Sequence, residues 1–280
     1  MIQTLDHGEV RELRLDRPPA NALSPDLIAA LRDAVEAAPG QGARALVLSG
    51  APGMFSGGLD VPFLLTLDRP RILAAWRDFY SLLRALAASH IPIVAAITGH
   101  SPAGGAVLAI FCDARIMAEG NFKIGLNEVQ IGIPMPPVIY LGARRLVGIR
   151  QAERLCVGGQ LFPPGEALRI GLVDELAPPE RVVERAVEWC RELLALPPQA
   201  MASTRRLVRA GLATLFAEDK EAELEGLVEN WFSDETQGAL RALVERLRKP
   251  SPSRPSSPAP SQPPSPGEEE RPTSDRSRTA

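Results

Sequence analysis

The sequence is poor in cysteine, lysine and aromatic residues. Three of its 280 residues are cysteines and 5% are aromatic, and lysine occurs only at Lys123, Lys220 and Lys249. The cysteines are widely spaced, odd in number and form no CxxC pair, a pattern that favours neither a disulfide framework nor a metal site. We therefore expect reduced thiols, no bound metal, and a cytoplasmic location.

The sequence also lacks an excess of positive charge and a long apolar run. The net charge is −3 and the pI is about 5.8, whereas a nucleic-acid-binding face needs a basic excess. No segment reaches the roughly 20 consecutive apolar residues of a membrane helix. Residues 1–10 carry neither a basic amphipathic presequence nor an apolar signal core. We predict no nucleic-acid partner and no membrane association.

The sequence does have enough apolar residues, 45% of the total, to build one large domain. Its first half alternates between strand and helix patterns, which predicts an α/β core with right-handed crossovers. The predicted strands are Val10–Leu15, Arg44–Leu48, Ile91–Ile97 and Arg115–Ala118. The predicted helices of this part are Pro25 to about Ala38, Arg71–Ala88 and Ala106–Cys112.

After Pro178 the pattern is mostly helical, with predicted helices at Glu180–Leu196, Gln199–Ala213 and Ala217–Arg248. We divide the chain into a core domain at residues 1–195, a C-terminal helical region at 196–249 and a tail at 250–280. The tail is rich in proline and serine and has too few apolar residues to offset the entropy of ordering it. We predict that it is disordered.

The first candidate segment for chemistry is Phe55-Ser56-Gly57-Gly58-Leu59-Asp60, which follows the predicted strand Arg44–Leu48. Its two glycines allow backbone conformations closed to other residues. Such a backbone can turn the N–H of Leu59 toward a ligand. A simple surface turn is the alternative interpretation.

The second candidate segment is Gly99-His100-Ser101-Pro102-Ala103-Gly104-Gly105, between a predicted central strand and an apolar helix. Ligands of α/β folds bind beyond the carboxyl ends of strands, where helices begin. The amide of Gly104 would point out of the first helical turn. Close helix packing is the alternative reason for these glycines. His100 has no visible orienting partner, so we interpret it as structural.

The third candidate segment is Gly125 to Gly132, in which Glu128 stands among isoleucine, leucine and valine residues. A carboxyl group in apolar surroundings has a raised pKa and can exchange protons near neutral pH. A glutamate on the outer face of a strand would give the same pattern, because carboxylates are usually exposed.

Taken in this order, the three segments resemble the crotonase (enoyl-CoA hydratase/isomerase) superfamily. The segments Arg17–Ser24, Cys112–Ala118 and Leu161–Leu168 are also similar to it. Within the superfamily, the chain looks most like the mitochondrial-type Δ3,Δ2-enoyl-CoA isomerases. The resemblance implies a spiral of ββα units whose terminal helices pack the active site and form a trimer interface.

The resemblance also implies roles for individual residues. The amides of Leu59 and Gly104 would form an oxyanion hole for the carbonyl of a CoA thioester, with Glu128 as the catalytic residue. Further residues would border the substrate or CoA: Ala20, Ser56, Gly57, Gly58, Asp60 and Asn127. CoA would arrive as part of an acyl-CoA substrate, without another cofactor, and the protein would be a homotrimer or a dimer of trimers. For Asp60 and Asp113, structural contacts at a turn and a helix end are the favoured interpretation.

One departure from the family discriminates between reactions. Hydratases of the family use two glutamates, and the first of them corresponds to Val107 in this chain. Valine cannot transfer a proton, whereas an isomerase needs only one base to move a proton from C2 to C4. The sequence therefore predicts a 3-enoyl-CoA isomerase of fatty acid β-oxidation. A hydratase-like or secondary-metabolism enzyme and a non-catalytic acyl-CoA-binding protein are the alternatives.

The last expectation concerns the residues that form the wall of the acyl pocket. The proline-rich segment Ile131–Val138 is expected to shape this pocket and hence the preference for chain length. Trp76, Tyr80 and Phe63 are expected in the core or in the pocket wall.

Overall fold

The computed structural model describes residues 1–217 and 219–248. The tail at 250–280, which we predict to be disordered, lies outside the described residues. The strands, β1 to β10, span Ile2–His7, Val10–Leu15, Ala45–Ser49, Gly53–Met54, Ile93–Ile97, Gly99–Pro102, Ala114–Ala118, Ile124–Gly125, Leu161–Phe162 and Glu175–Ala177. The α-helices, α1 to α11, span Pro25–Ala37, Val61–Leu64, Arg69–Ala88, Gly104–Ile110, Pro137–Val147, Ile149–Gly158, Pro164–Arg169, Val182–Leu194, Pro198–Ala213, Glu221–Trp231 and Asp234–Arg248.

The larger of the two sheets has the strand order β1-β2-β3-β5-β7-β10. The hairpin of β1 and β2 is antiparallel and every other neighbouring pair is parallel. Strands β3, β5 and β7 are buried along their whole length, as expected for parallel strands covered on both faces. On one face Val47 and Ala96 pack against α8. On the other face Leu48 belongs to the main core, which includes residues of α1, α3 and α4.

The smaller sheet, with the order β4-β6-β8-β9, is built from short strands. The pairs β4–β6 and β6–β8 are parallel, and β9 runs antiparallel to β8. Strands β3, β5 and β7 of the large sheet are each followed in the chain by a strand of the small sheet, and helices follow. This arrangement confirms the predicted α/β fold built from ββα units.

Two arginines of the C-terminal helix α9, Arg205 and Arg209, bind this helix to the core. The guanidinium group of Arg209, on α9, donates hydrogen bonds to carbonyl groups at the ends of α3 and α4, namely those of Leu86, Ala87, Phe111 and Cys112. Arg205 forms a two-pronged ion pair with Asp113, with both N···O distances at 2.8 Å. Asp113 also accepts a hydrogen bond from the N–H of Ile93 (2.9 Å). Its carboxylate thus has the structural role that the sequence suggested, although it contacts the start of β5 and arginine side chains of α9 rather than a helix end.

Several elements differ from the sequence predictions. The predicted helix Ala217–Arg248 is two helices, because Ser233 interrupts it and its hydroxyl accepts the N–H of Thr236 (3.2 Å), as a helix-capping serine does. The sequence predictions do not include helices α2, α5, α6 and α7, or strands β1, β4, β6, β8, β9 and β10. Part of the proline-rich segment starts a helix, since Pro137 opens α5, where proline is favoured.

The structure also corrects the expectation that three aromatic residues lie in the core or in the pocket wall. Trp76 and Tyr80 are buried, as predicted, but the side chain of Phe63 is 44% exposed. Phe63 lies in the four-residue helix α2, whose buried residues are Val61 and Leu64. A helix of a single turn can bury only one side, so Phe63 is left on the other.

Two further observations concern the cysteines and the helices. Cys112, Cys156 and Cys190 are all buried and unpaired. None of the helices in residues 1–217 and 219–248 combines the length and the apolar character that crossing a membrane requires.

Candidate active site

The three segments singled out in the sequence meet at one edge of the small sheet. Strands β4, β6 and β8 are parallel neighbours, so their carboxyl ends lie at the same edge. Leu59 follows β4, Gly104 follows β6 and Glu128 follows β8. The N–H of Ala103 donates to the carbonyl of Gly125 (2.8 Å) and ties the second segment to the third. The sheet therefore gathers residues that are far apart in the sequence.

The backbone of Leu59 is oriented by Leu23. The N–H of Leu23 donates to the carbonyl of Gly58 (2.8 Å), and the carbonyl of Leu23 accepts from the N–H of Asp60 (3.1 Å). Leu23 and Leu59 form a parallel β-bridge, in which Leu23 bonds to Gly58 and Asp60, the residues on either side of Leu59. In such a bridge the N–H of Leu59 itself points away from Leu23. The N–H of Leu59 has no acceptor among the described residues.

The second free amide belongs to Gly104, the first residue of α4. The first N–H groups of a helix have no partner within the helix, and this N–H has none among the described residues. A Cβ atom on Gly58 would lie 3.2 Å from the nitrogen of Gly104, and one on Gly104 would lie 2.9 Å from Leu23 Cδ1. Glycine at both positions lets the two chain segments touch. The close approach of these segments thus requires glycine at both positions.

The Arg17–Ser24 segment forms hydrogen bonds with the glycine loop Ser56–Gly58. The carbonyl of Ala20 accepts the N–H of Gly57 (2.7 Å), and the hydroxyl of Ser56 donates to the carbonyl of Asn21 (2.9 Å). Asn21 has a left-handed backbone (φ 47°), and its side-chain amide donates to the carbonyl of Phe55 (3.1 Å). The sequence analysis missed this role of Asn21, although asparagine is enriched at left-handed positions.

Asp60 is engaged by protein groups rather than open to the site. One oxygen of its carboxylate accepts from Arg17 Nη2 (2.6 Å). The other accepts the N–H of Phe63 (3.1 Å) at the start of α2. These contacts match the structural role that the sequence favoured for this aspartate.

Glu128 opens a 3₁₀ turn, Glu128–Ile131, that follows β8. The residue is 8% exposed, so the interpretation as an exposed glutamate on a strand is wrong. Among the described residues, its Oε2 atom has no hydrogen-bond partner, and neither has the neighbouring Asn127 Oδ1. Burial raises the pKa of Glu128 to about 7, with its own backbone N–H opposing the rise. A carboxyl group with this pKa can both take up and release a proton near neutral pH.

Neither Val107 nor Cys156 competes for this proton. Val107 is fully buried on α4. Cys156, on α6, is buried too. Burial, and after it the charge of Glu128, raises the pKa of the Cys156 thiol to about 11. At neutral pH this thiol keeps its proton.

An apolar crevice adjoins Leu59. Its volume is about 10 Å³, which is close to the space of one water molecule. It is lined by Ile28, Leu59, Leu64, Ile72, Ala75, Trp76, Phe79 and Trp231. An apolar ligand could extend from the amides into this crevice only if side chains such as Trp76 or Trp231 moved. His100 has a separate role, since its ring packs edge-on against Phe122 with the centroids 5.4 Å apart.

Comparisons with known proteins show the family to which the chain belongs. The sequence profile of the enoyl-CoA hydratase/isomerase family matches residues 6–251. Human mitochondrial enoyl-CoA delta isomerase 1 is 32% identical over 243 residues, which cover 86% of this chain and 80% of that protein. A probable enoyl-CoA hydratase of Mycolicibacterium paratuberculosis is 35% identical over 221 residues, covering 78% of this chain and 84% of the relative.

Among solved structures, the crystal structure of human mitochondrial Δ3,Δ2-enoyl-CoA isomerase superposes with a TM-score of 0.84. The sequences are 32% identical, and the match covers 88% of this chain and 97% of the human chain. The relatives thus include both isomerases and hydratases. The chain belongs to the enoyl-CoA hydratase/isomerase family and has the crotonase fold.

Proposed function

We propose that the protein is a Δ3,Δ2-enoyl-CoA isomerase that moves the double bond of a 3-enoyl-CoA to the 2-trans position in fatty acid β-oxidation. The observation that carries the proposal is the buried carboxyl group of Glu128, whose pKa is raised to about 7. It lies at the sheet edge that also presents two unpaired amides. The human isomerase relative supports the same assignment.

The reaction needs one proton carrier. In this proposal, the carboxylate of Glu128 removes a proton from C2 of the substrate, and the bonding electrons spread over C2–C4 and the thioester carbonyl. The resulting dienolate places negative charge on the thioester oxygen. Glu128 then returns the proton to C4, which leaves the double bond between C2 and C3. The carboxyl group ends the cycle as it began, so no other acid or base is required.

The amides of Leu59 and Gly104 stabilise the dienolate in this mechanism. Both N–H groups are free of protein acceptors within the described residues, and they are fixed before the substrate arrives by the Leu23 bridge and the start of α4. Preorganised donors of this type stabilise charge that develops in the transition state. Ala20, Ser56, Gly57, Gly58 and Asn127 would border the CoA thioester around these donors.

The crevice beside Leu59 is our candidate for the acyl end of the substrate. Its lining is apolar, as an acyl chain requires. Because it is almost filled, binding would have to displace the side chains of α3 or α10. This arrangement supports a preference for substrates whose acyl chains are short.

Product analysis tests the proposal directly. The purified protein is incubated separately with 3-enoyl-CoA and with 2-trans-enoyl-CoA. We expect conversion of the first to 2-trans-enoyl-CoA, and little or no 3-hydroxyacyl-CoA from the second, because Val107 cannot act as the second acid–base group. Rapid hydration without isomerisation would contradict the proposal.

Hydration is the second candidate function, because a probable hydratase is among the relatives. It requires a second group to handle the added water, and Val107 supplies none. A non-catalytic acyl-CoA-binding protein is the third. Tight binding of acyl-CoA without proton exchange at C2 would favour that alternative.

For the assembly, we propose a homotrimer or a dimer of trimers. Leu207 and Val208 on α9 are 76% and 58% exposed, and exposed apolar side chains of this size are typical of contact surfaces. Light scattering of the purified protein measures the assembly directly. A monomer at micromolar concentration would contradict the proposal.

A further inference from the structure

The turn that carries Glu128 is held from two sides. On one side, the side-chain amide of Gln130 donates to the carbonyl of Gly159 (2.8 Å), at the end of α6. On the other side, the hydroxyl of Thr236, on α11, donates to the carbonyl of Gly132 (2.7 Å). Gly132 ends the turn, and the contact with Thr236 comes from the last helix that the structure describes.

The hydroxyl of Thr236 is buried and has three hydrogen-bond partners. The residue has no exposed surface. Its oxygen lies 3.1 Å from the hydroxyl of Ser233 and 3.3 Å from Asn230 Oδ1. A threonine hydroxyl has one proton to donate, and the closest acceptor is the carbonyl of Gly132 at 2.7 Å. In the contact with Ser233, the serine hydroxyl is the donor and Thr236 accepts. The proton of the Thr236 hydroxyl therefore stays available for the carbonyl of Gly132.

Backbone packing reinforces this contact. Gly132 has a left-handed conformation with φ 74°. A Cβ atom at this position would lie 3.0 Å from the Cα of Thr236. The helix therefore sits directly on the end of the turn, without an intervening side chain.

A shift of Gly132 would reach Glu128 through the backbone of the turn. The N–H of Gly132 donates to the carbonyl of Val129 (3.2 Å), and the N–H of Ile133 donates to the carbonyl of Glu128 (3.1 Å). The carboxyl group has no hydrogen bond of its own through Oε2 within the described residues. Its position therefore depends on the backbone that carries it.

We propose that Thr236 is a positioning residue that holds the acid–base carboxyl group of Glu128 in place through its hydrogen bond to the carbonyl of Gly132. This inference rests on the proposed function. Thr236 lies on a different element from Glu128 and forms no hydrogen bond with its carboxyl group, so its effect is indirect.

The test compares three variants with the parent protein. Thr236→Val removes the hydroxyl and keeps the shape, Thr236→Ser keeps the hydroxyl, and Thr214→Val makes the same change at an exposed threonine of the C-terminal region. Misplacing a catalytic group by a fraction of an ångström to 1 Å lowers the rate by roughly 10-fold to 100-fold. We expect a decrease of this size in kcat for Thr236→Val, with KM changed less than about twofold because the amide site is intact. Thr236→Ser should restore kcat, and Thr214→Val should match the parent.

Two further readouts separate positioning from loss of structure. The pH–rate profile of Thr236→Val should shift to lower pH, because a loosened carboxyl group gains water and its pKa falls toward the ordinary value. Hydrogen–deuterium exchange of the peptide that contains residues 126–134 should be faster in Thr236→Val and unchanged in Thr214→Val. If the valine variant does not fold, Thr236→Ala removes the same hydroxyl and is measured in its place.

The outcomes distinguish this inference from the proposed function. A parent protein that does not isomerise 3-enoyl-CoA overturns the proposed function. An active parent whose Thr236→Val variant keeps the same kcat, pH profile and exchange rate overturns the positioning role. A decrease in kcat that Thr236→Ser does not reverse also overturns it, since the hydroxyl would then not be the cause.

Discussion

The buried carboxyl group of Glu128 and the largely buried one of Asp113 differ in their partners. Asp113 is paired with Arg205 and lies 3.4 Å from a guanidinium nitrogen of Arg209. It also accepts a backbone N–H. Glu128 has an oxygen without any hydrogen-bond partner among the described residues, and burial raises its pKa to about 7. The comparison teaches that a carboxyl group held by charged partners is fixed in its ionised form, whereas one without partners is free for the proton transfer that we propose for Glu128.

The largest effect should follow from removing the unpaired carboxyl group. We expect Glu128→Gln to isomerise 3-enoyl-CoA roughly 100-fold to 10,000-fold more slowly, because general acid–base catalysis contributes a factor of that size. The variant should fold and bind acyl-CoA as the parent does. Steady-state kinetics measures the rate, and Glu245→Gln, at an exposed position, is the matched control. Equal rates for Glu128→Gln and the parent would rule out Glu128 as the base.

The paired carboxyl group should show the opposite behaviour. Asp113→Asn leaves the buried charge of Arg209 without its partner, and breaking a buried ion pair costs about 3 kcal/mol in the free energy of unfolding. Activity per folded molecule should stay the same. Urea denaturation measures the stability, with Asp33→Asn as the control, since Asp33 pairs with Arg32 at the surface. The control should lose less than about 1 kcal/mol. If Asp113→Asn were as stable as the control, the contrast between the two carboxyl groups would fail.

The pH dependence of stability sharpens the same contrast. The pKa of Glu128 is raised from an ordinary value of 4.5 to about 7, so between these pH values the folded chain holds a proton that the unfolded chain has released. Folding stability therefore falls as the pH rises from 4.5 to 7. Glutamine does not titrate. The Glu128→Gln variant should gain up to about 3 kcal/mol over the parent across this interval.

Chemical denaturation of both proteins at pH 4.5 and pH 8 checks this expectation. Absolute stabilities contain contributions from many groups, but those common to both proteins cancel in the difference. A difference that is independent of pH would mean that Glu128 has an ordinary pKa in the folded chain.

Much of the core and of the candidate site could be predicted from local sequence. Strands β3, β5 and β7 are short and mostly apolar, and Ser24-Pro25 marks the start of α1 through its cap. The apolar neighbours of Glu128 suggested burial but left an exposed position open, and the structure decides between them. The convergence of Leu59, Gly104 and Glu128 was inferred from the resemblance, because spacing alone does not show which strands are neighbours.

The remaining features depend on long-range contacts. Thr236 touches Gly132 and Arg209 reaches the ends of two distant helices, and neither sequence neighbourhood shows its partner. Ser233 carried a local capping signal that was overlooked in the predicted helix Ala217–Arg248. The oligomer size, the cytoplasmic location and the disorder of the tail stay predictions.

Solvent deuterium exchange at C2 of a saturated acyl-CoA tests the central claim most directly, because it reports proton removal without requiring the correct double bond. The account predicts enzyme-dependent exchange at C2 that increases with pH up to about 7, levels off above it, and is lost in Glu128→Gln. Exchange that persists in Glu128→Gln, or that shows no change in slope near pH 7, would contradict the account.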